Sequence, residues 1–183
     1  MFKKILVAID YSTTSKKVFE AALSLAQTTG ASLMLLHVLP FEPKIYPSPF
    51  IYYGLEAESI DESTLIFYQQ HWQRLEQEGL ELLQSLTEEA TQAGVKTEFK
   101  QTLGYPGRNI CEEAQTWSAE LILVGSRGLT GVQEMFLGSV SNYVTHHAPC
   151  SVLIVRQDAE EVRSQESSFK DWTENPTQKV SRY

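Results

Sequence analysis

Two cysteines in 183 residues, Cys111 and Cys150, form no CxxC pair and carry no histidine at metal-ligand spacing. That excludes a disulfide framework and a structural zinc site, and both thiols read as small buried hydrophobes. No apolar run approaches the ~18 residues of a membrane span. The run Ile5-Leu6-Val7-Ala8-Ile9 is too short for the apolar region of a signal peptide, so a cytoplasmic protein is expected, with no membrane partner. Basic residues are few: 15 Lys and Arg stand against 23 Asp and Glu, and −7 of the net charge of −8 falls in residues 56–100. Without a basic patch or a basic–aromatic stripe, nucleic acid is not an expected partner. The acidic middle reads as a solvated helix face.

Common catalytic and phosphate-handling signatures are missing as well. Nothing reads GxxxxGK[ST] or GxGxxG, and the first apolar run ends in Asp10-Tyr11-Ser12 where a glycine loop would stand. Val124-Gly125-Ser126-Arg127-Gly128 is not GxSxG. His37, His71, His146 and His147 form no HExxH pair. Adjacent helical residues point about 100° apart, so His146-His147 is a poor chelate.

What is present is a rhythm. Ile5–Ile9, Leu33–Leu36 with His37-Val38, Leu121–Val124 and Val152–Val155 are continuous runs, the pattern of parallel strands buried on both faces. Val95–Gln101 alternates like a strand with one polar face. Between the strands lie amphipathic helical stretches. Residues 16–29 place Val18, Phe19, Ala22, Leu23 and Ala26 on one side, with Gly30 as the stop. A long helix from near 60 carries Tyr68, Trp72, Leu75, Leu82, Leu86, Ala90 and Ala93, and Gly94 ends it. Leu103–Arg108 reads as a turn, Pro106 suits the first position of a helix with Ile110, Cys111, Ala114 and Trp117 inward, and Gly138–His147 is a helix with Val140, Tyr143, Val144 and His147 on one side. Alternation of strand and helix predicts an α/β fold, a doubly wound five-stranded parallel sheet in an open α/β sandwich.

Two segments stand apart from that rhythm. Residues 40–58 hold Pro40, Pro43, Pro47 and Pro49 together with Phe41, Ile45, Tyr46, Phe50, Ile51, Tyr52 and Tyr53, as in a packed insertion, a lid or a partner surface. Residues 157–183 are polar and read as a C-terminal tail, leaving 1–156 as the domain.

The strongest local signal is Gly125, Gly128 and Gly138-Ser139, spaced G-x2-G-x9-G-S. A strand, a glycine loop and a helix start form an anion cradle: glycine lets the backbone approach closely, and a helix N-terminus presents free N–H groups. Asp10, Val38 and Gly125 all stand at strand carboxyl ends, where open α/β sheets bind ligands.

With that spacing, Ile5–Asp10, Leu36-His37-Val38, Gly104-Tyr105-Pro106-Gly107 and His147-Ala148-Pro149-Cys150-Ser151–Val155, the chain resembles the universal stress protein family across nearly all of 1–156. In that family the G-x2-G-x9-G-[ST] spacing marks the ATP-binding branch. The resemblance implies ATP, or another adenine nucleotide, as ligand. It places Ala8 and Asp10 beside adenine and ribose, and the Val38 backbone at the adenine edge. Val124, Gly125, Arg127 and Gly128 fall around ribose and phosphates, and Gly138, Ser139, Val140 and Ser141 at the phosphate chain. A Mg2+ or Mn2+ ion would be held by the phosphates rather than by protein ligands. The resemblance also implies a homodimer through strand 151–155. Ser151 departs from the family's usual proline, and neither 40–58 nor the tail inherits a role.

The expected function is therefore a nucleotide-responsive regulator or scaffold in stress response. No general base is evident beside the phosphate positions, so at most slow ATP hydrolysis is expected. One rival is an adenine-nucleotide hydrolase or transferase, which lacks its usual SGGxDS loop here. Another is a partner-binding module acting through 40–58 and the tail.

Overall fold

The computed structural model describes residues 1–40, 62–126 and 137–156, without the side chains of 62–65 and 68. The insertion expected beyond Pro40, the tail, Arg127 and Gly128 lie outside the described residues, as does the Tyr68 side chain. The elements are β1 (Lys4–Ile9), α1 (Thr13–Thr29), β2 (Ser32–Pro40), α2 (Glu62–Gln92), β3 (Thr97–Gly104), α3 (Pro106–Trp117), β4 (Leu121–Gly125), α4 (Ser139–His147) and β5 (Ser151–Val155).

The five strands pair in the order β3-β2-β1-β4-β5, all parallel. The expected doubly wound α/β sheet is the fold of the chain. β1 is central, and its alternation divides the core. Ile5, Val7 and Ile9 face a cluster with Val18, Phe19 and Ala22 of α1 and Leu83 and Ala90 of α2. Leu6 faces the opposite cluster, with Ile122, Met34 and Leu36 from the sheet, Ile110 and Ala114 of α3 and Val144 of α4. Helices connecting strands in one direction thus cover one face, and those connecting in the other direction cover the other, as right-handed crossovers require. Cys111 and Cys150 are free and half-buried on the second cluster, and burial pushes both thiols above their ordinary pKa.

Local expectations hold for α1, whose stripe is buried as written except that Leu23 is half-buried, and for α3, where Pro106 opens the helix. Three differ. β2 runs two residues past Val38, to Pro40, and β3 runs from Thr97 to Gly104, so Leu103-Gly104 belongs to strand rather than turn. The cause is register: β2 and β3 stay paired from Leu33 with Thr97 to Pro40 with Gly104, while Val95 is drawn back to α2 by its N–H on Ala90 O (2.9 Å). In α4 the inward residues are Ser141 and Val144, with Val140 partly covered. Tyr143 and His147 stack on each other outside, ring centroids 4.0 Å apart, as residues four apart on a helix can.

The β3–α3 turn is clasped by Asn109. Its Oδ1 accepts from Tyr105 N (3.1 Å) and its Nδ2 donates to Leu103 O (3.2 Å). Gly104 has φ +150°, and a Cβ there would stand 2.6 Å from Asn109 Oδ1, so only glycine admits the clasp.

Candidate functional site

Strand order reverses between β1 and β4, because β1 is followed on one side by β2 and on the other by β4. Loops leaving two such strands diverge to opposite faces of the sheet, and a crevice is left at their carboxyl ends. The crevice is present here. It is bounded by Ala8 and Asp10 after β1, Val38 and Pro40 at the end of β2, Val124 and Gly125 at the end of β4, Pro106 and Ile110 from α3, and Gly138–Ser141 at the start of α4. Its volume is about 220 Å3, far above the ~10–15 Å3 that one water needs, so it admits an organic molecule.

Asp10 sits where the β1 ladder ends, and its surroundings hold it in place. Its N–H donates to Ser15 Oγ (2.7 Å), and its Oδ1 accepts from Ser12 N (2.9 Å) and Ser12 Oγ (2.5 Å). Oδ2 has no hydrogen bond among the described residues. One face of the carboxylate is thereby committed to the turn and the other left for a ligand donor.

Across the crevice, the chain is pinched at the neck of the glycine loop. Ser126 N–H donates to Val155 O and Gly138 N–H to Ser126 O, each at 2.8 Å. Ser141 Oγ lies 3.0 Å from Gly138 O and 3.2 Å from Ser126 O and donates to that pair, so this buried hydroxyl braces the neck. α4 begins with Asn142 N–H on Gly138 O (2.9 Å), and Gly138 caps no donor with a side chain. By helix geometry the N–H groups of Ser139, Val140 and Ser141 have no intrahelical acceptor. They lie at the crevice wall with the positive end of the helix dipole, an arrangement suited to an anion.

Of the residues singled out from the sequence, Ala8, Asp10, Val38, Val124, Gly125, Gly138, Ser139, Val140 and Ser141 line this one crevice. Arg127 and Gly128 lie outside the described residues. The sequence reading missed Tyr11, His37, Pro106 and Ile110, which line it too. His37 is 2% exposed although polar, and burial lowers its pKa, opposed by its Gln101 hydrogen bond and by Asp10. Its Nδ1 lies 3.0 Å from Gln101 Oε1. A histidine inside a continuous apolar strand run was the signal that could have found it. Among the described residues no group of three His, Cys, Asp or Glu could hold a metal ion, and no helix is long and apolar enough to cross a membrane.

Fold and site together define an open, doubly wound α/β protein with an anion-ready crevice at its strand switch point. The universal stress protein family model matches residues 1–156. Universal stress protein Sll1388 of Synechocystis sp. is 41% identical over 158 residues, covering 85% of this chain and 98% of its own. Among solved structures, hypothetical protein MJ0577 superposes with TM-score 0.68 at 23% identity, over 86% of this chain and 98% of that one. A universal stress protein family member from Arabidopsis thaliana, At3g01520, solved with AMP bound, superposes with TM-score 0.57 at 25% identity, over 90% and 99%. The chain belongs to the universal stress protein family.

Proposed function

We propose that the chain binds an adenine nucleotide, ATP in the first instance, in the switch-point crevice and acts as a nucleotide-responsive regulator or scaffold in stress response. The observation that carries this is the meeting, across one crevice, of an oriented carboxylate and the open first turn of a helix. A nucleotide offers both complements: ribose hydroxyls that donate to a carboxylate, and phosphates that accept from backbone N–H groups. The AMP bound to the Arabidopsis relative supports the adenine assignment.

In this reading Ala8 and the Val38 backbone border the base, and Asp10 Oδ2 takes a ribose hydroxyl. Val124 and Gly125 border ribose and phosphates, and the roles that the resemblance gives Arg127 and Gly128 fall outside the described residues. The N–H groups of Ser139, Val140 and Ser141, with Ser139 Oγ, take phosphate oxygens. Ser141 Oγ, already donating to the neck of the loop, acts as a brace. A Mg2+ or Mn2+ ion would be held by the phosphates, since the described residues supply no metal-binding group. Among the described residues that line the crevice Asp10 is the one carboxylate, and in this reading the ribose occupies it, so the described lining offers no second carboxylate to activate water. A homodimer through β5 belongs to the same proposal: β5 is a sheet edge without charged residues, and its Leu153 is 43% exposed.

The test is the nucleotide retained by natively purified protein, released by acid and identified by chromatography and mass. An adenine nucleotide at substoichiometric to stoichiometric amounts is expected. Retention of a different class of small molecule in its place overturns the assignment.

A further inference from the structure

The crevice is tied to the long helix α2 by side chains that belong to its own wall. Tyr11 Oη donates to Leu75 O (3.1 Å) on α2. Gln101 Nε2 donates to the next carbonyl, Glu76 O (2.9 Å), and Gln101 Oε1 faces His37 Nδ1. With the amide so oriented, His37 carries its proton on Nδ1 and donates to Gln101. The Tyr11 and His37 rings meet edge to face, centroids 5.1 Å apart. Gly79 lets α2 come this close: a Cβ there would stand 2.2 Å from Gln101 Oε1 and 2.6 Å from His37 Nδ1. On the C-terminal side of this contact α2 buries Leu83 and Ala90 in the core. On the N-terminal side no described side chain is fully buried: His71, Trp72 and Leu75 are half-buried, and Ile66 and Phe67 are 46% and 64% exposed.

We infer that Tyr11 and His37 couple occupancy of the crevice to the seating of the N-terminal half of α2, an inference that rests on the proposed nucleotide site. The two states are α2 seated, with both carbonyls held, and α2 released before Gly79. Tyr11 and His37 form the crevice wall in the seated state. A ligand packed against them binds that state better, and differential affinity is what moves such an equilibrium. Loosening the two anchors lowers the fraction of chains with α2 seated, and the apparent affinity for the ligand falls with that fraction. This half-helix, on which no described side chain is fully buried, is the part of the fold whose exposure then reports nucleotide.

The experiment is amide hydrogen exchange on the full-length chain with and without ATP·Mg, read over residues 62–80, beside calorimetric ATP affinity on the same samples. Wild type is expected to exchange severalfold more slowly there when ATP is bound. Tyr11→Phe combined with Gln101→Leu is expected to lose that ATP-dependent slowing and to bind ATP about 2–10-fold more weakly. Tyr11→Phe alone, which keeps the ring, serves as the milder variant should the double variant fail to fold, and is expected to lose part of the slowing. ATP binding with unchanged exchange at 62–80 overturns the coupling and leaves the nucleotide site standing. Slowing that survives intact in a folded variant overturns it equally. Absence of ATP binding in wild type overturns both.

Discussion

Gly79→Ala separates local helix preference from tertiary contact with opposite signs. In a helix interior alanine is favoured over glycine by about 1 kcal/mol, so an exposed site in α2 would gain stability from the change. At Gly79 the added methyl would stand 2.2 Å from Gln101 Oε1 and 2.6 and 2.8 Å from His37 Nδ1 and Cε1. Gln101 is long and part-exposed and can swing away. His37 is 2% exposed and cannot, and once Gln101 leaves, its Nδ1–H loses its partner. An orphaned buried donor costs about 1–3 kcal/mol and overpacking a similar amount. Taken at about 1.5–2 kcal/mol each, the two losses exceed the ~1 kcal/mol propensity gain, for a net destabilisation of about 2–3 kcal/mol. Urea unfolding measures it directly, and a thermal melt should fall by roughly 5–10 °C at ~2–4 °C per kcal/mol. A variant as stable as wild type would refute the reasoning, because helix propensity alone would then decide the position.

Other consequences follow from the same geometry. Burial lowers the His37 pKa, so the unfolded chain takes up its proton near pH 6.5 while the folded chain still resists it. Stability is full above that value and declines as pH falls through 6.5 toward the folded pKa, with a slope of at most about 1.4 kcal/mol per pH unit from this group. Denaturant titrations from pH 7.5 to 5 should show the slope in wild type and a flatter one in His37→Gln; identical slopes would remove His37 as its source. At the edge of the sheet, Leu153→Lys puts a charge on an exposed strand position and should shift a homodimer to a still folded monomer, read by sedimentation beside circular dichroism. An unchanged dimer would place the interface elsewhere. Asn109→Ala opens the clasp around Gly104 and should cost about 1–2 kcal/mol of stability in urea unfolding; a neutral result would mean water replaces both bonds.

The sheet was legible because its central strands are buried on both faces, so Ile5–Ile9, Leu33–Leu36 and Leu121–Val124 had to be continuous apolar runs. Strand ends were less so. β3 extends to Gly104 because β2 offers it partners that far, and no local property of Leu103-Gly104 announces Leu39 and Pro40 of the preceding strand as partners. The inward side of α4 was misjudged because Tyr143 is apolar enough to count as core, whereas the buried place goes to Ser141, whose hydroxyl is needed at the loop neck. On the site, glycines and hydroxyls at strand and helix ends gave the outline. His37, Gln101 and Gly79 were not visible because they meet only in three dimensions, through β2, β3 and α2. A polar residue in a buried strand and a glycine inside a helix were each a signal that something approaches, but not what.

The central claim concerns binding in the switch-point crevice, and titration calorimetry with ATP·Mg up to about 1 mM on wild type and Gly138→Val tests it most directly. Gly138 lines the crevice with φ −59° and ψ 159°, a conformation open to any residue, so valine there adds bulk at a lining position without straining the backbone. Saturable heat in wild type, with a Kd tighter than about 100 μM, and its loss in a folded Gly138→Val is the predicted result. No saturable heat in wild type, or undiminished binding in the variant, would contradict the account.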